Sequence, residues 1–258
     1  MNRKKKLEPI IQNSLQYDVP SSKLIYKEPE HETWSIMAKK LMERKEQYFC
    51  QEYLECLKKI NLNPTKVESL DQLNKKLHKL SGWKVQPVDG LIPLEKYMKL
   101  ITCKIFPVAY HVRTPKEIEF AELPDYFHDV FGHLPLLCNK KFSDFLINYG
   151  EIALKYVDLP EGLKFLGNLL WYTSETGLIR QKQSIKAYGG AIITSESECL
   201  NMISHESKRS NFVTSKIMST PYSHLKLQEH YFIIDSFDEL STIIENIEND
   251  IRQQFSIS

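Results

Sequence analysis

The feature that most constrains this chain is a pair of histidines within residues 128–135 (HDVFGHLP). A regular helix turns ~100° per residue, so the five-residue spacing of His128 and His133 would point their rings ~140° apart. The rings can converge on one atom if the helix loosens at its end, and Gly132 and Pro135 are residues that end helices. The alternative is a helix end that holds one histidine near its negative pole and the other in the core.

Composition excludes several classes of protein. The chain has 258 residues, 42% of them hydrophobic, which is enough for a buried core in one large domain or two small ones. Lys and Arg total 34 against 33 Asp and Glu, so no charge bias points to nucleic acid or to an anionic membrane. The basic cluster at residues 3–6 is not followed by a continuous apolar run, and we therefore predict neither a signal peptide nor a membrane span.

Hydrophobic periodicity predicts one mostly helical domain. Residues 1–29 contain three prolines and little periodicity, which indicates an extended arm on the surface. Residues 30–258 contain no repeat, low-complexity segment or long linker, so we predict a single domain there. The predicted fold class is mainly α with a few short strands, at the margin of α+β.

Several elements can be placed from local signals. Apolar residues at helical spacing predict one or two helices over 30–60, and a helix that Ser69 caps and Gly82 stops. Glycines 189 and 190 predict a turn. Other predicted elements are a strand at 83–86 ended by Pro87, a strand at 105–112 weakened by Pro107, a helix opened by Pro93, a helix over 142–156, a strand at 231–234 and a terminal helix over 240–253.

A metal site at the histidine pair needs a third ligand, and Glu175 is the candidate. Its neighbours in residues 171–179 (WYTSETGLI) are apolar or small, which predicts a buried carboxylate. A buried charge is costly unless it is paired or binds a metal. Two imidazoles and one carboxylate form the facial triad of non-haem iron(II) oxygenases, although the donor types also admit zinc.

Residues 124–135 (PDYFHDVFGHLP) resemble the iron-binding signature of the pterin-dependent aromatic amino acid hydroxylases, in particular the short bacterial phenylalanine hydroxylases. Further blocks match in the same order along the chain from about residue 30 to residue 240. They are SGW at 81–83 with VDGLIP at 88–93, FPV at 106–108 with RTP at 113–115, WYT at 171–173 before Glu175, and SIKAYG at 184–189. The resemblance implies the hydroxylase fold and a monooxygenase that uses Fe(II), a tetrahydropterin and O2 on a free aromatic amino acid.

The resemblance also implies roles for individual residues. Fe(II) would be held by His128, His133 and Glu175. The substrate would be bound by Arg113 through its carboxylate, by Pro124 and Trp171 as walls of the ring pocket, and by Thr194 as a polar neighbour. The pterin would stack on Tyr97 and lie beside the backbone from Gly90 to Ile92, with Asp129 approaching it from the iron side.

The sequence departs from the family pattern near the third ligand. Ser174 and Thr176 stand where the family usually has valine and phenylalanine, Leu170 where a tyrosine is common, and Ala121 where the animal enzymes have threonine. These departures leave the iron ligands intact and bear on the ring pocket. We expect phenylalanine to be converted to tyrosine, and smaller residues beside Glu175 to admit tryptophan as well.

Two other functions are compatible with parts of the pattern. His128 and Asp129 could be the core of an HD-type metal-dependent phosphohydrolase, with His111 and either Asp144 or Asp158 as further ligands. That interpretation leaves Glu175 and Arg113 without roles. A non-enzymatic binding module on a hydroxylase fold is the third possibility, and it leaves a costly ligand set unused.

Cysteines and chain length suggest where and in what state the protein works. Five scattered cysteines without a C-x-x-C motif argue against a disulfide scaffold and favour the reducing cytoplasm. Little sequence precedes residue 30 to form the regulatory domain of the animal enzymes, and little follows residue 240 to form their tetramerising tail. We therefore expect a monomer whose partners are small molecules: the aromatic amino acid, O2 and the reduced pterin.

Overall fold

The computed structural model describes residues 24–119 and 121–255. Helices of all types account for more than half of this part of the chain. The α-helices are α1 (Glu28–Tyr48), α2 (Gln51–Ile60), α3 (Leu70–Ser81), α4 (Leu94–Thr102), α5 (Lys140–Ala153), α6 (Pro160–Leu170), α7 (Gly190–Thr194), α8 (Glu196–Asn201), α9 (Thr214–Ser219) and α10 (Glu239–Phe255). Shorter 3₁₀ turns lie at Pro115–Glu117, Leu136–Cys138 and Leu154–Tyr156. Two π-helical turns lie at His128–His133 and Trp171–Glu175.

Among the described residues, six short strands form two small sheets: β1 (Lys84–Val88), β2 (Ile105–Ala109), β3 (Leu178–Gln181), β4 (Ser184–Ala187), β5 (Lys208–Asn211) and β6 (His230–Ile234). β1 and β2 pair in parallel, and the second sheet has the order β4-β3-β6-β5. The prediction that Pro87 ends the first strand is wrong, because β1 continues through it and pairs it with Val108. A proline is tolerated there because both strands of a two-stranded sheet are edge strands.

Local capping signals explain the early helices. The Ser69 side chain accepts from the backbone N–H of Gln72, and Gly82 ends α3 with a φ of 77°, as predicted. The region over 30–60 forms two helices rather than one. The break falls at Phe49 and Cys50, where the Cys50 N–H donates to the Ala187 carbonyl oxygen at 3.0 Å and ties the chain to the end of β4.

A buried aromatic cluster packs against the π-helical turn that carries the two histidines. The Trp34 ring lies 5.2 Å from the rings of both Phe127 and Phe131, and all three side chains are buried. The Tyr53 hydroxyl donates to the Phe131 carbonyl oxygen at 2.6 Å, so a side chain satisfies a backbone acceptor within the turn. Burying large aromatic side chains is worth several kcal/mol each, which gives the turn a rigid base.

The predicted fold class, mainly α with a few short strands, is confirmed. The arm predicted over residues 1–29 falls largely outside the described residues, and α1 begins at Glu28. The turn predicted at glycines 189 and 190 is wrong. Gly189 is instead the residue before α7, and Gly190 is its first residue. A glycine is required at position 190 because the His133 ring lies against it.

Candidate metal centre and active site

The histidine pair lies on the π-helical turn His128–His133. A π-helix bonds residue i to residue i+5, so side chains five apart stand on the same side of the turn. The Nε2 atoms of His128 and His133 are 3.0 Å apart, and their ring planes cross at 79°. The expectation that the helix loosens only at its end needs correction, because the whole turn is widened and Gly132 lies inside it.

Two glycines allow α7 to approach this turn closely. A Cβ added at Gly190 would lie 2.5 Å from Cε1 of His133, and a Cβ added at Gly132 would lie 3.0 Å from the Gly190 carbonyl oxygen. The first of these contacts is closer than any real side chain allows, and the second would force backbone to shift. Gly190 therefore seats the His133 ring against the backbone of α7.

Glu175 lies at the end of the second π-helical turn, Trp171–Glu175, which continues α6. The Thr176 N–H donates to the Trp171 carbonyl oxygen at 2.9 Å, the i to i+5 bond of such a turn. The Glu175 carboxylate oxygens lie 3.4 Å from Nε2 of His128 and 3.3 Å from Nε2 of His133. Within residues 24–119 and 121–255, these three side chains form the only cluster of three or more His, Cys, Asp or Glu ligand atoms that could share a metal ion.

Hydrogen bonds set the protonation of the ligands. The Thr194 hydroxyl donates its one hydrogen to the Gly190 carbonyl oxygen at 2.8 Å, so it accepts from Nδ1 of His128 at 3.0 Å. Nδ1 then carries the proton and Nε2 presents its lone pair. Burial alone would raise the pKa of Glu175, but the charge of a protonated His133 beside the carboxylate outweighs burial and holds that pKa well below its ordinary value. The carboxylate is therefore ionised.

The donor set fits a divalent transition metal. For metal–ligand bonds of ~2.1 Å, donors at right angles lie ~3.0 Å apart and donors at tetrahedral angles lie ~3.4 Å apart. The two Nε2 atoms are 3.0 Å apart, and each lies 3.3 to 3.4 Å from a different oxygen of the Glu175 carboxylate, distances that fall within this range. One metal ion can therefore bind all three side chains, and the two imidazoles and one carboxylate match the facial triad of non-haem iron(II) sites.

A cavity of about 790 Å³ opens onto the three ligands. This volume lies within the usual range for small-molecule sites and is large for a single amino acid. Every other predicted site residue borders it, namely Gly90, Ile92, Tyr97, Arg113, Pro124, Asp129, Trp171 and Thr194. The structure therefore brings all the predicted positions to one cavity, and the group that each residue binds stays a prediction.

Arg113 is joined to the metal ligands through Asp125. Its Nε and Nη2 atoms donate to the two Asp125 carboxylate oxygens at 3.0 and 2.8 Å, a two-pronged contact. The same carboxylate accepts from the backbone N–H of His128 at 3.0 Å. Asp125 is fully buried, and burial alone would raise its pKa, but the hydrogen bonds and charge of Arg113 lower it overall. One carboxylate thus orients the cavity arginine and the start of the π-helical turn.

Asp129 borders the cavity beside the ligands. Its Oδ2 accepts from the backbone N–H of Ala109, the last residue of β2, at 2.6 Å. Burial raises the pKa of Asp129 to about 6, against the opposing effect of the histidine charges. Asp129 thereby links the histidine-bearing turn to the small parallel sheet.

The structure adds cavity residues that sequence patterns do not reveal. Tyr222 and Gln228 border the cavity, and both contact Trp171: the Tyr222 ring stacks on the indole at 4.4 Å, and Gln228 Oε1 accepts from its Nε1 at 3.0 Å. The region around them lacks periodicity and matches no motif, so composition gave no signal for either residue.

The two departures beside Glu175 differ in what they contact. Thr176 borders the cavity, and its hydroxyl donates to the Trp171 carbonyl oxygen at 3.1 Å. Ser174 is buried and does not border the cavity. The expectation that both residues shape the ring pocket therefore needs correction, and only Thr176 is placed to do so.

The ligands required by the phosphohydrolase alternative are not brought together. Among the described residues, neither His111 nor Asp144 nor Asp158 joins the cluster at His128. Asp144 instead lies on the surface, where it pairs with Lys140 one helical turn earlier. The structure does not favour that function.

Comparison with known proteins identifies the family of this chain. The model of the family described as biopterin-dependent aromatic amino acid hydroxylase matches residues 1–258. The phenylalanine-4-hydroxylase of Pseudomonas aeruginosa is 36% identical over 215 residues, covering 83% of this chain and 81% of the relative. That of Chromobacterium violaceum is 35% identical over 216 residues, covering 83% and 72%. The chain belongs to the biopterin-dependent aromatic amino acid hydroxylases, as predicted.

Solved structures support the same conclusion. The crystal structure of Chromobacterium violaceum phenylalanine hydroxylase with bound oxidised Fe(III) superimposes with a TM-score of 0.88 at 30% identity, covering 96% of this chain and 93% of that chain. A structure of that enzyme with iron(III) and 7,8-dihydrobiopterin gives a TM-score of 0.87 at 30% identity, covering 96% and 92%. The predicted hydroxylase fold is confirmed.

Proposed function

We propose that this protein hydroxylates the ring of free phenylalanine to give tyrosine, with Fe(II), a tetrahydropterin and O2. The observation that carries the proposal is the convergence of His128, His133 and Glu175 on one point at the wall of a cavity wide enough for two ligands. It is supported by the relatives, which are phenylalanine-4-hydroxylases, and by the Chromobacterium violaceum structure that holds iron and dihydrobiopterin.

His128, His133 and Glu175 would hold the iron. When bound, iron and the pterin supply the redox chemistry in which O2 gives one oxygen atom to the ring and the other to the pterin. The chain keeps the ligands ready for this: Thr194 accepts from Nδ1 of His128 and so retains the proton there, and Glu175 is a carboxylate. Because the protein offers three ligands, a bound metal would keep positions available for substrates.

Arg113 would bind the substrate carboxylate. Two of its N–H groups are used by Asp125, and a guanidinium has five, so donors are left over for a second carboxylate. The contact with Asp125 holds the guanidinium plane fixed, which lowers the entropy lost when the amino acid binds. A free aromatic amino acid is thereby anchored by its polar end at a defined distance from the metal ligands.

The ring and the pterin would occupy the rest of the cavity. Pro124 and Trp171 border it as apolar surfaces for the substrate ring, and Thr176 adds a small polar side chain beside Trp171. The pterin would lie against Tyr97, which packs edge-on against Phe106 at 6.1 Å, and against the backbone of Gly90 and Ile92. Asp129 would approach the pterin from the metal side. Tryptophan is proposed as a secondary substrate.

We also propose that the protein acts as a monomer in the cytoplasm, with small molecules and no nucleic acid or membrane as partners. All five cysteines are free, which suits a reducing compartment. Charges are nearly balanced, at +1 overall. In the part of the chain that the structure describes, no helix combines the length and the apolar character that a membrane span requires. Light scattering of the purified chain, whose mass is 30.2 kDa, tests the oligomeric state.

The proposed reaction is tested by loading the protein with Fe(II) without oxygen and then adding O2, tetrahydropterin and one aromatic amino acid, with products separated by chromatography. Tyrosine formation from phenylalanine that requires both iron and pterin is expected. His111→Ala serves as a control for a histidine outside the cluster and should keep this activity. Phosphate release from a phosphoester would support the phosphohydrolase, and amino acid binding without any product would support a binding module.

A further inference from the structure

The indole N–H of Trp171 donates a hydrogen bond to a residue that has no role in the proposed reaction. The other two tryptophans, Trp34 and Trp83, are fully buried, and they donate to the Asn63 carbonyl oxygen and to the Ser143 hydroxyl. Trp171 is only partly buried and borders the cavity, and its Nε1 donates to Oε1 of Gln228 at 3.0 Å. This hydrogen bond therefore controls a ring that faces the substrate space.

The orientation of the Gln228 amide is fixed by its other end. Nε2 donates to the Ser223 carbonyl oxygen at 2.6 Å and to that of Lys226 at 3.2 Å. With the amide nitrogen and oxygen exchanged, the amide oxygen would face two carbonyl oxygens and the NH₂ group would face the indole N–H, so no hydrogen bond could form at either end. Oε1 is therefore the atom that faces Trp171.

The backbone of Gln228 is held equally firmly. Its N–H donates to Oε1 of Glu198 at 3.0 Å, and its carbonyl accepts from Nδ2 of Asn201 at 2.7 Å. Tyr231 donates to the second oxygen of Glu198, and all but Asn201 of these side chains are buried. A satisfied buried network of this kind is rigid, so the acceptor for the indole N–H has little freedom to move.

The Trp171 indole is also stacked on a tyrosine ring. The Tyr222 ring lies parallel to the Trp171 indole, with centroids 4.4 Å apart and planes inclined by 9°. Tyr222 is 40% exposed, so the core does not hold it in place. The carbonyl of the next residue, Ser223, is bonded by Gln228. The Gln228 amide thus bonds both the Trp171 indole and the backbone next to Tyr222, the residue that stacks on that indole.

We propose that Gln228 is a positioning residue, which sets the plane of the Trp171 indole and its stack with Tyr222 so that the cavity accepts a flat aromatic ring. The proposal rests on the proposed function, in which Trp171 walls the substrate ring. Rotation about the bond that joins an indole to its Cβ is soft, so without the hydrogen bond the plane would be poorly defined. A surface that is already ordered lowers the cost of binding, so a poorly defined indole plane should weaken binding of the substrate ring.

The hydrogen bond is tested first, without any activity measurement. In the full-length protein labelled with ¹⁵N-tryptophan, three indole N–H signals are expected, and Trp171→Phe identifies the one from Trp171. In the wild type this N–H should exchange with solvent slowly for a partly exposed indole. In Gln228→Leu its signal should shift and its exchange should quicken at least tenfold, while the signals of Trp34 and Trp83 stay in place.

A matched control separates positioning from stability. Asn168 is a buried amide on α6 whose Nδ2 donates to the Met218 carbonyl oxygen at 2.7 Å, without contact to the indole N–H. Asn168→Leu removes a comparable buried hydrogen bond and should leave the Trp171 signal unchanged. Equal shifts in both variants, or fast exchange of this N–H in the wild type, would overturn the proposal. The wild-type measurement decides the point even if Gln228→Leu fails to fold.

Kinetics then test whether Gln228 acts through Trp171. Gln228→Leu should raise KM for phenylalanine about three- to tenfold, the effect of one lost hydrogen bond, and leave KM for the pterin unchanged. In a Trp171→Phe background the same substitution should add almost nothing, because the group that it positions is gone. Fully additive effects would mean that Gln228 has only a structural role. If the wild type makes no tyrosine but the Trp171 signal responds as described, the proposed function fails and the positioning contact stands.

Discussion

Asp125 offers the sharpest test of how the site is held together. The side chain is fully buried and accepts four hydrogen bonds, from the backbone N–H, Nε and Nη2 of Arg113 at 2.9, 3.0 and 2.8 Å and from the His128 N–H at 3.0 Å. Asp125→Asn removes the charge and sets an amide NH₂ against donors. Removing one partner of a buried ion pair costs ~3–5 kcal/mol. We expect a loss of about 3 kcal/mol, since the remaining amide oxygen still accepts.

Urea denaturation followed by circular dichroism measures this loss, with Asp144→Asn as the control. Asp144 carries the same charge in an exposed pair with Lys140, and such pairs contribute ~0.5 kcal/mol or less. KM for phenylalanine should also rise in Asp125→Asn and stay unchanged in Asp144→Asn, because only the first substitution frees the guanidinium of Arg113. Similar losses of stability in the two variants would refute the view that Asp125 organises the site.

The dependence on pH gives a second check. The pKa of Asp125 lies below its ordinary value, because the hydrogen bonds and charge of Arg113 outweigh the opposing effect of burial. The folded state therefore favours the carboxylate, whose contribution is complete above a pH of about 4 and is lost as pH falls through the folded-state pKa. The difference in unfolding free energy between wild type and Asp125→Asn should stay constant from about pH 7 to pH 5 and shrink at more acidic pH. A difference that grows on acidification would contradict this explanation.

Three further substitutions test separate parts of the site. Arg113→Lys keeps the charge but loses the two-pronged geometry, so KM for phenylalanine should rise roughly ten- to a hundredfold (~1.5–3 kcal/mol) while KM for the pterin stays unchanged. Equal rises in both KM values would mean that Arg113 has a structural role. Gly190→Ala would place a methyl group 2.5 Å from Cε1 of His133, a proposed iron ligand. It should lower the iron content by metal analysis well below that of Gly167→Ala, whose Cβ meets no atom within 4 Å. Thr176→Phe should lower kcat/KM for tryptophan relative to phenylalanine about tenfold. Ser174→Val, a change outside the cavity, should leave that ratio unchanged. A ratio that changes only in Ser174→Val would mean that Ser174, and not Thr176, shapes the ring pocket.

The parts of the fold that depend on neighbours in sequence were predictable. Ser69 and Gly82 act within one turn of the backbone that they cap, so local chemistry suffices to place the ends of α3. The break between α1 and α2 depends instead on Ala187, far along the chain, and periodicity could not decide between one helix and two. Pro87 was misjudged for a related reason, because its effect depends on whether the strand lies at an edge.

The metal site shows the same division. The chemistry of His128, His133 and Glu175 could be inferred from residue types, but the five-residue spacing argued against convergence on a regular helix. A π-helical turn resolves this, and it is stabilised by contacts with distant residues such as Gly190 and Tyr53. The amide of Gln228 reaches Trp171 across 57 positions of sequence, a distance over which no periodicity or motif carries information.

Iron binding by the three ligands is the central claim, and anaerobic Fe(II) titration of the metal-free protein, with iron counted per chain after gel filtration, tests it most directly. The wild type and His111→Ala should each retain about one iron per chain, since a facial triad holds a single ion. His128→Ala, His133→Ala and Glu175→Ala should each retain only a small fraction of that amount and lose pterin-coupled tyrosine formation. Any one of these three variants that keeps a full iron and full turnover would contradict the assignment.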